Sequence, residues 1–338
     1  MKINQQILKL LSQKNLAVAE CENLFTSIFS ARCCAPTIKT VLLLEAYKGE
    51  KTDEIYACFK ALKKIEKPIR SGIKNLIDTC GTGGDGKNSI NVSTLAAFVI
   101  AGAGGKVAKH GNRAISSKCG SSDLLEAVGI NLSASKEKMI SSIKKYGIGY
   151  FHAPYYHPAF THLQKIRKKI KRRTILNYLG PLINPLDVQY QVMGVSKINL
   201  IDIYSQILKY KKYGEFLVCH SVDGLDEISP FNKTFVSLIA KGEIQRGFID
   251  RTLPSKNFTQ KKSHALKSIA EHKNFALNFL KNKIHNSDRV LILLNAAAGL
   301  VLSHLAINLT DGYKKAEKSL AEGKAYRAYL GLKKISNS

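Results

Sequence analysis

The stretch from Asn75 to Gly86, NLIDTCGTGGDG, limits the possible folds more than any other part of the chain. A short apolar run ends in a cluster of glycines, and Val92 to Ala103 then reads as an apolar helix. A strand, a Gly-rich loop and a helix in that order make a βα unit, whose strand must join a sheet covered by helices. The runs GGKVAKHG, YQVMGVS, GEFLVCHS and DRVLILLN read as further strands between helical segments, so the predicted class is α/β with a mixed or parallel sheet. The residues before this region differ in kind. QQILKLLSQKNL and IKTVLLLEAYKGEKTDEIYACFKALKKI place apolar side chains three and four apart with no period of two, which predicts helices only. With 338 residues, two domains are expected. They are a small N-terminal all-helical domain over residues 1–70 and a large α/β domain over residues 71–338.

Composition narrows the function classes. At 45% hydrophobic and 23% charged residues the chain resembles an ordinary globular protein, which excludes a fibrous or largely disordered one. Lys and Arg number 52 against 25 Asp and Glu, a formal net charge of +27 that attracts polyanions of every kind. No apolar stretch reaches the length of a membrane span, and MKINQQILKLLSQKN lacks a small-residue cleavage site. A soluble, cytoplasmic protein with no membrane partner is expected. The seven cysteines (21, 33, 34, 58, 80, 119 and 219) show no CxxC pair or Cys/His metal spacing, which suits reduced thiols. Cys80 and Cys119 flank the Gly-rich motifs, but with no His evidently placed to deprotonate them both read as packing residues.

The glycine loop can be tested against known nucleotide motifs. Gly81, Gly83 and Gly86 fit GxGxxG, yet Lys87 to Cys119 contains no Asp or Glu to hold a ribose, so a dinucleotide is discounted. GTGGDGK fits GxxxxGK, but Asn88 stands where a magnesium-binding Ser or Thr is needed, so ATP is discounted too. What survives is a loop whose backbone N–H groups can approach phosphate, leading through Ser89, Asn91, Ser93 and Thr94 into the positive end of a helix. A capped Gly-rich turn with no ligand is the equal alternative for this segment alone. KHGNRAISSKCGSSD at 109–123 adds Lys109, His110, Asn112, Arg113, Ser116, Ser117 and Lys118, and two phosphate-type loops so close in sequence argue for a ligand with more than one phosphate. DGLDE at 223–227 groups Asp223, Asp226 and Glu227, oxygen ligands of the kind magnesium takes beside a polyphosphate. Seven of the nine residues from Lys165 to Arg173 are basic; a solvated helix face ranks above nucleic-acid contact, since no aromatic side chain interrupts the run.

In combination these segments resemble the anthranilate phosphoribosyltransferase family. DTCGTGGDGKNSINVST, KHGNRAISSKCGSSDLLEAVGINL, APYYHPAF, RTILNYLGPLINP, GVSK, DGLDEIS and NAAAG run in the family's order almost from end to end, and the first two are highly specific to it. The resemblance implies a small helical domain, joined by helices from about 160–185, and a large α/β domain of the nucleoside phosphorylase/phosphoribosyltransferase type. It also implies a homodimer through the helical domains and a site in the cleft between domains. Gly81, Gly84, Asp85, Ser89, Asn91, Val92, Ser93 and Thr94 match positions that bind phosphoribosyl pyrophosphate. So do Lys109, His110, Gly111, Asn112, Arg113, Ala114, Ile115, Ser116, Ser117 and Ser121. Ser93, Asp226 and Glu227 match magnesium ligands, with two ions per subunit expected. Gly81, Asn112 and Arg167 match the anthranilate site, with His110, His157 and Pro181 as further parts of its channel. The chain departs from the family at Ser89 (usually Thr), at Cys119 and Ser122 (commonly Ser and Ala), and in KGEKTDE, where KGET is commoner.

The activity so implied is displacement of pyrophosphate from the ribosyl C1 by the amino group of anthranilate, a step of L-tryptophan biosynthesis. An aryl amine is neutral at pH 7, so no side chain is assigned as general acid or base. Magnesium and cationic donors stabilising the leaving group, with placement of the amine, are expected to supply catalysis. Two rivals share the fold. A nucleic-acid-binding relative is favoured by the +27 charge but opposed by intact KHGNR, DGLDE and Arg167, which leaves nucleic acid as a weak, nonspecific partner. A nucleoside phosphorylase is unsupported by NYLGPLINP and HPAF.

Overall fold

The computed structural model describes residues 2–87, 90–114, 118–211, 213–250 and 265–338. Packing divides the chain into a helical unit, Met1–Ile69 with Pro154–Pro185, and an α/β unit, Arg70–Ala153 with Leu186–Ser338. The helical unit begins with α1 (Lys2–Leu11), α2 (Val18–Phe29), α3 (Ala35–Lys48) and α4 (Thr52–Ile65). The three-and-four spacing puts Cys21, Leu24, Phe25 and Ile28 of α2 and Ile55, Cys58 and Leu62 of α4 in one buried core. At the start of α4, the Glu54 carboxylate accepts the Lys51 N–H at 3.0 Å and the Lys48 ammonium at 2.6 Å. Glu45 stands 3.4 Å from the same ammonium, and all three side chains are buried.

The α/β unit runs β1 (Leu76–Asp78), α5 (Val92–Gly102), β2 (Lys106–Gly111), α6 (Ser121–Ala127), α7 (Lys136–Tyr146) and β3 (Ile148–His152). The chain then forms α8 (Ala153–Tyr156) and α9 (Gln164–Ile170). It continues as β4 (Tyr190–Gly194), α10 (Asn199–Lys209), β5 (Glu215–Ser221), β6 (Thr234–Ala240) and β7 (Glu243–Ile249), and ends in α11 (Ile269–Leu280), α12 (Ser287–Leu302), α13 (Leu309–Ala321) and α14 (Lys324–Asn337). The seven strands lie in the order β3-β2-β1-β4-β5-β6-β7, parallel from β3 to β5 and antiparallel through β6 and β7. From β1 the chain steps outward to β2 and β3, then returns to β1's other side for β4 and β5. The carboxyl ends of β1 and β4 thus flank the point where strand order reverses, the place where open parallel sheets leave a crevice.

One expected strand is a helix. DRVLILLN lies inside α12, whose residues are buried on nearly every side, and a helix covered all round shows the same unbroken apolar run as a buried strand. The β6–β7 hairpin was not anticipated, because β7 (EIQRGFI) is largely exposed and its sequence carries no apolar alternation. Its turn holds a signal after all: Lys241 and Gly242 both take positive φ, +51° and +78°, as a two-residue hairpin turn requires.

Candidate active site

Four loops leave the same edge of the parallel sheet, after β1, β2, β4 and β5. At the reversal point they touch through backbone. A Cβ built on Gly81 would collide with the carbonyl oxygen of Gly194, and one on Gly194 with the carbonyl oxygen of Asp226. Thr82 donates its N–H to Gly194 O at 2.9 Å and accepts from Ser196 N at 3.0 Å. Two glycines therefore let the GTGGDG loop, the end of β4 and the DGLDE loop stack at main-chain distance. Gly83, Gly84 and Gly86 take positive φ at the exposed tip of the first loop.

This stacking gathers carboxylates. The Asp226 carboxyl is pushed up to about 7 by burial and then by Asp85, against a hydrogen bond from the Gly83 N–H. Glu227 is also raised, by burial, Asp226 and Asp85, although Lys109 counters and the Ser93 N–H donates to it. Ser93 lies in the first turn of α5, so Glu227 faces the positive end of a helix. Among the described residues no donor reaches Asp85 Oδ2 or Asn91 Oδ1, both buried. Acceptor oxygens without donors, beside carboxylates that raise one another's pKa, are a donor set that suits a hard divalent cation. Asp223 does not join them: its carboxylate accepts from Ser229 Oγ at 2.7 Å and Asn232 Nδ2 at 3.4 Å, holding its own turn. Asp85, in contrast, was expected only as a phosphate-loop residue.

The second loop is fastened at both ends. Asp123 accepts from Ala114 N and Gly120 N, each at 2.9 Å, and Asn112 O accepts from Ser122 N at 3.1 Å and Ser121 Oγ at 3.2 Å. Ser122, which sequence reasoning left to packing, bonds Tyr150 Oη at 2.6 Å and His152 Nδ1 at 2.8 Å. Arg113 is engaged by Asp123 and Glu126 at 2.7 to 3.1 Å, so a phosphate must compete with these carboxylates for it. Lys109 is buried with its amine on His110 O at 3.1 Å, and Gly111 is buried at the end of β2. Val92 and Thr94 are buried in the first turn of α5, and Asn91 precedes it, donating to Cys119 O at 3.1 Å. Ser89, Ile115, Ser116 and Ser117 lie outside the described residues.

The expected acceptor residues fall on both units. Gly81, His110 and Asn112 belong to the α/β unit, while Arg167, His157 and Pro181 belong to the helical unit. In the basic run Lys165, Lys168, Lys169, Lys171, Arg172 and Arg173 are exposed, but Arg167 is half-buried under the Phe160 ring, its centroid 5.9 Å away. Burial lowers the Arg167 pKa, and among the described residues no carboxylate lies within ion-pair distance. His157 is buried with Nδ1 2.6 Å from Glu66 Oε2, and Glu66 also accepts the Ala159 N–H at 2.9 Å. Glu66 carries no motif signal and was not expected. Pro181 is buried in the turn Gly180–Leu182.

Residues 73–326 match the glycosyl transferase family, a/b domain. The chain is 37% identical over 334 residues to the anthranilate phosphoribosyltransferase of Vesicomyosocius okutanii, covering 97% of this chain and 96% of that protein. It is 36% identical over 339 residues to the enzyme of that name from Clostridium kluyveri, covering 99% and 100%. The crystal structure of anthranilate phosphoribosyltransferase from Thermus thermophilus superposes with a TM-score of 0.87 at 29% identity over the whole of both chains. The Saccharomyces cerevisiae enzyme, in complex with phosphoribosyl pyrophosphate and Mg, superposes with a TM-score of 0.88 at 26% identity over 99% and 98% of the chains. By this similarity, which extends from end to end, the chain belongs to the anthranilate phosphoribosyltransferase family.

Proposed function

We propose that the chain transfers the 5-phosphoribosyl group of phosphoribosyl pyrophosphate to the amino group of anthranilate, giving N-(5-phosphoribosyl)anthranilate and pyrophosphate. The observation that carries this reading is the stacking of the GTGGDG loop on the loop of Asp226 and Glu227 at the strand-order reversal. The glycine N–H groups, the start of α5 and the second loop bind the phosphates. Asp226, Glu227 and Ser93 hold magnesium, two ions per subunit, and the metal when bound supplies positive charge against the pyrophosphate oxygens. Arg167, which has no carboxylate partner among the described residues, receives the carboxylate of anthranilate as a bidentate fork. His157, His110, Asn112, Gly81 and Pro181 orient the ring. The C1–N bond forms as the C1–O bond to pyrophosphate breaks, with inversion, and the amine then loses a proton to solvent. No side chain needs to act as a strong base, because the attacking amine is already neutral.

The subunit arrangement belongs to the same proposal. Leu8 and Leu11 of α1 and Tyr47 of α3 are 62%, 58% and 71% exposed on the helical unit, apolar surface suited to a homodimer contact there. Seven free thiols support a reducing, cytoplasmic setting. No helix among the described residues is long and apolar enough to cross a membrane. The test is to follow the decay of anthranilate fluorescence with phosphoribosyl pyrophosphate present. Decay that requires both the pyrophosphate donor and magnesium is expected, and a flat trace from folded protein contradicts the reading.

A further inference from the structure

Sequence spacing showed no Cys/His metal pattern, yet folding assembles one. Asp78, Cys80 and His110, at the carboxyl ends of β1 and β2, bring a carboxylate oxygen, a thiol sulfur and an imidazole nitrogen within 4.8 Å of one another. Main-chain bonds set the spacing: Asp78 Oδ1 accepts from Thr79 N at 2.7 Å and from His110 N at 3.2 Å. Asp78 and His110 are fully buried, and the Cys80 sulfur is enclosed with them at the base of the first glycine loop. This donor set differs from the one formed by Asp226, Glu227 and Ser93. There every donor is oxygen, which suits a hard cation. Here oxygen, nitrogen and sulfur are mixed, which suits a softer one and discriminates against magnesium.

We propose that Asp78, Cys80 and His110 form a second cation site, one that takes a thiophilic divalent ion of the zinc class. Three protein ligands leave the fourth tetrahedral position open, as in zinc sites that keep an exchangeable ligand. Binding replaces the S–H bond of Cys80 by a sulfur–metal bond and releases the proton to solvent. The thiolate and the Asp78 carboxylate then cancel the two positive charges of the ion, which a buried position demands. Free, the thiol stays protonated, since burial and Asp78 push it up to about 12 against the buried Lys109 ammonium that also faces it. Occupancy ties β1 to β2 and fixes the His110 ring. Under the proposed function, zinc therefore acts as an inhibitor that does not compete with magnesium.

Cobalt(II) tests the site, since cobalt bound to thiolate gives a ligand-to-metal charge-transfer band that carboxylate ligands cannot. Cys33 and Cys34 are accessible thiols, so both are first changed to Ser. One equivalent of cobalt should give the band in this protein without any substrate. Cys80→Ser should abolish the band and weaken zinc binding at least about tenfold. No band in the Cys33→Ser/Cys34→Ser protein, or an unchanged band after Cys80→Ser, overturns the proposal. Should Cys80→Ser melt early, zinc protection of Cys80 against alkylation, read by peptide mass, decides instead: slowing supports the site, and equal rates with and without zinc overturn it. None of these readouts depends on transferase activity.

Discussion

At the scale of single residues, Gly194 is the most constrained position near the site. A Cβ there meets the Asp226 carbonyl, so Gly194→Ala must push the DGLDE loop outward. The expected result is a fall in turnover of more than about tenfold with a stability loss of about 1 to 3 kcal/mol, read by initial rate and chemical denaturation. Arg167→Ala should raise the KM for anthranilate far more than that for phosphoribosyl pyrophosphate, and an equal effect on both would assign Arg167 a general electrostatic role. Glu45 governs a pH effect. Burial and Glu54 raise its carboxyl from 4.5 to about 7 despite Lys48. An acid raised on folding stabilises the fold while protonated, so this stabilisation is present below pH 4.5 and is lost as pH rises through about 7, to a limit of about 3 kcal/mol. Glu45→Gln should therefore melt progressively higher than the parent between pH 5 and pH 8; a constant difference would refute the assignment. Arg167, Asp226 and Glu227 are candidates from the sequence because motif order marks them. Glu66 and Asp78 were not, since each acts through a partner distant in sequence: Glu66 bonds His157, and Asp78 meets His110 across two strands.

At the scale of elements, the βα unit from β1 to α5 was legible because a glycine cluster between two apolar runs has few other solutions. α12 was not, because burial on every side removes the helical period that marks an amphipathic helix. The start of α6 shows what the sequence left unread. The Ser122 hydroxyl joins α6 to Tyr150 and His152 of β3. Ser121, the first residue of α6, shares Tyr150 with it at 3.1 Å. Ser122→Ala should lower stability by about 1 to 2 kcal/mol, because it leaves the buried Tyr150 hydroxyl with one partner fewer. Thermal melting measures this, and no change in melting temperature would show that the neighbours rearrange to satisfy one another.

For the whole molecule, the charge of +27 and the positioned site make opposing claims on function. The structure separates them at the basic run: six of its cations are exposed and Arg167 is half-buried. Changing Lys168, Lys169, Lys171 and Arg172 to Gln should remove weak oligonucleotide binding, itself falling by roughly 10³ or more between 50 and 200 mM salt, while transfer to anthranilate stays near parental. Tight oligonucleotide binding at physiological salt without transfer would favour a nucleic-acid binder. Under the proposed function the loops at the strand-order reversal hold the metal and the pyrophosphate. The initial rate against magnesium concentration tests this most directly, compared between the Asp226→Asn/Glu227→Gln double variant and its parent with both substrates saturating and folding verified by melting. A loss of at least about 100-fold at every magnesium concentration is expected. A rate near parental with the parental magnesium dependence would contradict it.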